Sequence, residues 1–134
     1  MKKIISISIV VIMTLVCCVT AFADVELCAV GSVKRSCTLS ISGGTATCTS
    51  LYSDSSSETA NVVITQSLEK HSFLWSWDTV GGDWIKSTNS GKISLTNQVS
   101  GLLSGTYRVK TVFDVTSSDG TMQTITLYSS EKSC

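Results

Sequence analysis

Thr106-Tyr107-Arg108-Val109-Lys110-Thr111-Val112-Phe113-Asp114-Val115 decides the fold of this chain. Tyr107, Val109, Thr111, Phe113 and Val115 fall on one side of this stretch, and Arg108 and Lys110 on the other. That two-residue period is the mark of a strand with one face in a core and one in water. Ser117-Ser118-Asp119-Gly120 then supplies a turn, and Thr121–Ser129 returns with Ile125 and Leu127 apolar.

The same alternation runs outward through most of the chain, with little trace of a 3.6-residue period. Cys37, Leu39 and Ile41 share one side of a segment, Gly43-Gly44 supplies a tight turn, and Thr45–Thr49 returns. Beyond the Ser55-Ser56-Ser57 loop, Ala60, Val62, Ile64 and Leu68 share a face, and a weaker strand covers Lys92–Val99. Phe73-Leu74-Trp75-Ser76-Trp77 and Gly81-Gly82-Asp83-Trp84-Ile85 read as a hairpin with its turn near Val80–Asp83. About seven short strands with frequent turn signals predict an all-β, antiparallel two-sheet sandwich of immunoglobulin-like character. Leu103-Ser104-Gly105-Thr106-Tyr107 fits the corner in which a strand-entry Tyr hydrogen-bonds back to nearby backbone; it fits equally a core Tyr that starts a strand.

Residues 1–23 read as a secretory signal peptide that is cleaved. Lys2 and Lys3 precede an apolar run from Ile4 to Val16, and Ala21-Phe22-Ala23 forms a small-residue cleavage site before Asp24. Lipidation at Cys17 or Cys18 lacks the small residue expected before the cysteine, and an uncleaved anchor lacks length. The expected organisation is a signal at 1–23, an N-terminal arm at 24–36 and a sandwich domain at 37–134. The expected location is extracellular, with the cell surface as a further address.

The processed chain has 111 of the 134 residues, enough for one domain with a real core. Eight Lys and Arg remain against ten Asp and Glu, and no basic stripe exists. That balance argues against nucleic acid and against an anionic membrane surface. No second long apolar run follows the signal, so stable membrane insertion after cleavage is not expected.

Cys28, Cys37, Cys48 and Cys134 suggest two disulfides in an exported chain. Cys37–Cys48 across the hairpin and Cys28–Cys134 across the domain are the expected pairs. A four-residue turn allows the first; a two-residue turn instead sets Cys37 opposite Ser50 and leaves the cysteines diagonal. Spacings of nine, eleven and 86 residues, with His71 the sole histidine, do not suit a zinc site, so no metal and no cofactor is expected.

No catalytic set stands out, and no enzyme activity is expected. His71 reads as a loop histidine, no Gly-x-Ser-x-Gly elbow is present, and the sequence does not pair Asp78, Asp83, Asp114 or Asp119. The feature most open to function is Phe73, Trp75, Trp77 and Trp84. Trp75 and Trp77, two apart on a strand, would share a face and, if exposed, form a stacking platform; if buried, they are bulky core. Trp75, Trp77 and Trp84 are the candidate ligand-binding residues.

From Ser40 onward the chain resembles a family of small exported proteins of Gram-positive, Clostridia-like bacteria known only as a domain of unknown function. The matching stretches are Ser40-Ile41-Ser42-Gly43-Gly44-Thr45-Ala46, Val63-Ile64-Thr65-Gln66-Ser67-Leu68 and Gly105-Thr106-Tyr107-Arg108-Val109-Lys110, then Gly120, Thr124 and Tyr128-Ser129-Ser130. The resemblance implies a signal peptide and an antiparallel sandwich, and brings no activity. The expectation is a secreted, non-catalytic module that binds an extracellular protein or glycan. The alternative is a small toxin or bacteriocin-like antagonist, with a small hydrolase third.

Overall fold

The computed structural model describes residues 32–134. The expected signal peptide, and Cys28 of the expected Cys28–Cys134 bridge, lie outside the described residues. Eight strands follow in chain order: β1 Val33–Ser42, β2 Thr45–Asp54, β3 Thr59–His71, β4 Trp77–Thr88, β5 Lys92–Ser100, β6 Thr106–Ser117, β7 Met122–Tyr128 and β8 Lys132–Ser133. They form two antiparallel sheets, one ordered β1-β2-β5 and the other β4-β3-β6-β7, with β8 also on β6. The chain is therefore an all-β sandwich. The order departs from an immunoglobulin constant domain in one respect: the fourth strand lies beside the third instead of joining the first sheet. The two-residue β8 accounts for the strand beyond the seven expected. Because β1 begins at Val33, the domain boundary drawn at Cys37 falls inside a strand.

The alternating residues make the interior. Along β6, buried positions alternate with half-buried ones, and Tyr107, Val109, Thr111, Phe113 and Val115 all point inward. Tyr107 and Val109 meet Leu39, Ala46 and Cys48 of the first sheet in one apolar cluster, and Phe113 and Val115 meet Tyr52 and Ile93 in a second. The Tyr107 hydroxyl donates to the Leu103 carbonyl, so the strand-entry Tyr is the corner-closing residue.

A polar seam crosses the interior. Fully buried Gln66 donates to Ser50 Oγ at 2.6 Å and accepts from Asn97 at 2.8 Å. Ser50 and Thr111 share a hydrogen bond of 2.7 Å across the sheets, and Thr111 Oγ1 donates to Cys37 Sγ at 3.1 Å. In a low-dielectric interior such a satisfied chain ties the two sheets to one relative placement.

Two expectations are corrected. Gly43 and Gly44, at φ 56° and 70°, close β1 to β2 in a two-residue turn, both central residues left-handed. Cys37 therefore faces Ser50 and Leu39 faces Cys48; the expected Cys37–Cys48 disulfide is absent, and both are free, buried thiols. The second correction concerns Gly81-Gly82. The pair does not turn the chain; it forms a bulge inside β4, where pairing jumps from Leu68↔Val80 to Ser67↔Asp83. Their φ values of 81° and 94° suit a bulge as well as a turn, which is why glycines alone misplaced the hairpin.

Candidate functional site

The β3–β4 hairpin turns at 72–76. His71 and Trp77 form its last rung, so the Phe73–Trp77 stretch read as a strand is mostly the connection itself. The turn is held by its own polar groups. Ser72 N–H donates to Ser76 O at 2.9 Å, Ser76 N–H to Phe73 O at 3.1 Å, and Phe73 N–H to Ser76 Oγ at 3.2 Å. His71 Nε2 lies 2.7 Å from Leu74 O, within hydrogen-bond reach. Leu74 takes a left-handed φ of 56°, a strained choice for a leucine that this bonding holds in place.

This geometry separates the three tryptophans. Trp75 is at the tip and 91% exposed, beside Phe73 at 76% and Leu74 at 65%. Trp77 is half-buried on the outer face of the larger sheet. Trp84 is half-buried and packs against the core cluster that contains Leu68 and Tyr107. Trp75 and Trp77 do not form a shared platform, and Trp84 joins neither.

Trp77 instead belongs to a stack that spans the sheet. The Arg108 guanidinium lies 4.0 Å from the centre of the Trp77 ring and 4.2 Å from that of Tyr128, between the two. Arg108 Nε donates to Glu69 Oε2 at 2.7 Å, and the His71 ring meets Trp77 edge-on at 5.1 Å. The guanidinium is thus held by one carboxylate and by close contact with two aromatic rings. β4 supplies Trp77, β3 supplies Glu69 and His71, β6 supplies Arg108 and β7 supplies Tyr128. Sequence reading set Arg108 on the outward face of its strand, but Glu69 and Tyr128 become its neighbours only through strand pairing.

The other candidates are dispersed. Asp83 accepts from Ser67 at 2.6 Å, and Asp114 accepts from Thr124. Their rungs on β3, Ser67 and Val63, stand four residues apart, about 13 Å along the strand. Asp119 accepts from the Thr121 N–H in the β6–β7 turn, which holds its carboxyl below the usual range. Among the described residues no three His, Cys, Asp or Glu side chains gather as metal ligands would. A mainly apolar cleft of about 260 Å³ opens beside Val80, Val99, Leu102 and Tyr107, with Lys70 on its wall. The Lys70 ammonium lies 5.6 Å from the centre of the Tyr107 ring.

No family model matches this chain, and comparison with curated proteins finds no match.

Proposed function

We propose that this protein is a secreted, non-catalytic β-sandwich module that binds an extracellular or cell-surface protein through the outer face of its larger sheet. The observation that supports this reading is the Trp77–Arg108–Tyr128 stack. Trp, Tyr and Arg are enriched among the few residues that carry most of the energy of protein interfaces, and ordering them in advance lowers the entropy that binding must spend. Here all three are held in one orientation before any partner arrives. Glycan binding fits less well: a sugar ring stacks on an open aromatic face, and Arg108 already covers the facing sides of both rings. Secretion rests on residues 1–23 and their cleavage pattern.

The test is binding of residues 24–134, which include every strand described here, to arrayed purified extracellular proteins and to a glycan array. Capture of a protein ligand by the wild type, weakened more than about tenfold in Trp77→Ala and Tyr128→Ala chains that stay folded, supports the reading. Capture of glycans alone, or protein capture that neither substitution weakens, contradicts it.

A further inference from the structure

Lys70 continues the inward-facing row of β3, two residues beyond fully buried Leu68. Lysine seldom takes a core-facing position without a counter-charge, because its ammonium loses water there. Here the protein supplies no counter-charge. Among the described residues the only ion pair is Glu69–Arg108, and no protein group accepts a hydrogen bond from the half-buried Lys70 ammonium. Asp78 stands opposite Lys70 on β4 without pairing, and the ammonium instead lies over Tyr107, its partner on β6, 5.6 Å from the ring centre. Gly105 leaves room for that placement, since a Cβ there would meet Lys70 Cε at 2.5 Å.

This unanswered charge stands on the wall of the 260 Å³ cleft, where it is the only charged lining residue. Val80, Val99, Leu102 and Leu103 make the rest of the wall largely aliphatic, and the Tyr107 hydroxyl is already committed to the Leu103 carbonyl. An apolar hollow with one fixed cation is complementary to an apolar body that carries one negative charge. We propose that the cleft binds a medium-chain aliphatic monocarboxylate, its acyl chain against Val80, Val99 and Leu102 and its carboxylate on Lys70. This site goes beyond the protein-binding reading above and lies on the opposite face of β3 from Glu69 and the Arg108 stack.

Size, charge and lining narrow the ligand class. A water-sized group takes about 30 Å³, so the cleft has room for about nine, which matches a carboxylate on a chain of about seven carbons. A phosphate dianion would bring a second charge that no other cation of the lining meets. An aryl acid gains little over an alkyl one, because the single ring in the wall, Tyr107, already has the Lys70 ammonium over it.

The test is calorimetric titration of residues 24–134 with heptanoate and with heptanamide, its neutral counterpart, alongside methyl NMR spectra that locate the ligand. Heptanoate is expected to saturate one site per chain at about millimolar concentration and to bind about fivefold more tightly than the amide. Each CH₂ removed from the acid should weaken binding about fourfold. The methyl signals of Val80, Val99 and Leu102 should shift on titration. Lys70→Met keeps an apolar stem without the charge, and is expected to bind acid and amide alike. No saturable heptanoate binding by the wild type overturns the proposal. So does equal wild-type affinity for acid and amide, a preference for the acid that survives in Lys70→Met, or shifts confined to methyls outside the cleft. The stack reading fails separately, through Trp77→Ala and Tyr128→Ala on the protein array.

Discussion

Cys37 stands opposite Ser50, and Cys48 opposite Leu39, because two glycines and no more separate their strands. A bridge at this diagonal spacing of about 7–8 Å requires the backbone to move. Burial pushes the pKa of both thiols up to about 11, so near neutrality neither offers thiolate. Native alkylation at pH 8 is expected to leave both unmodified, and denaturant to expose both, as read by peptide mass mapping. A mapped Cys37–Cys48 linkage contradicts the register.

Gln66 is the most connected member of the buried seam, with Ser50, Leu95 and Asn97 around its amide. Gln66→Ala removes packing and leaves buried partners unpaired, an expected loss of about 2–4 kcal/mol in urea unfolding. Tyr107→Phe keeps the ring and deletes only the corner bond to Leu103, so about 1 kcal/mol is expected.

Asp54 carries the clearest pH signal. Ser56 and Thr59 donate to its carboxylate, and Ser32 adds a third side-chain donor, which lowers its pKa from 3.8 to about 2. A carboxyl with a depressed folded pKa stabilises fully above its unfolded value and loses that contribution as pH falls through the folded one. The melting temperature is therefore expected to fall as pH drops from 3.8 to about 2, and Asp54→Asn to flatten that part of the profile. An unchanged profile in the variant contradicts the assignment.

Arg108→Lys keeps the charge but loses the planar group between the two rings. An expected cost of about 0.5–2 kcal/mol follows from cation–π contacts of this kind, read as a shift in the urea midpoint. If charge alone held the site, Lys would be neutral.

Much of the architecture was readable without coordinates, and the reason is specific. Strands β6 and β7 alternate cleanly because one face of each meets the core, and the Leu103–Tyr107 corner is a local motif. The β3–β4 hairpin resisted reading because Phe73, Trp75 and Trp77 have strand-like spacing in a connection, while Gly81-Gly82 imitates a turn inside a strand. Apolar residues mark burial only when something packs on them, and nothing local reveals that the tip lacks a neighbour. The Glu69–Arg108–Tyr128 association depends on which strands become adjacent, which is information the period does not carry.

The fold places the three tryptophans in three different environments, with Trp77 alone in the Arg108 stack on which the proposed interface rests. Acrylamide quenching of chains that each retain a single tryptophan, the other two replaced by phenylalanine, measures this directly. The structure predicts strong quenching for Trp75, and distinctly weaker quenching for Trp77 under Arg108 and for Trp84 against the core. A Trp75 shielded as well as Trp84, in a folded chain free of any partner, would contradict the account.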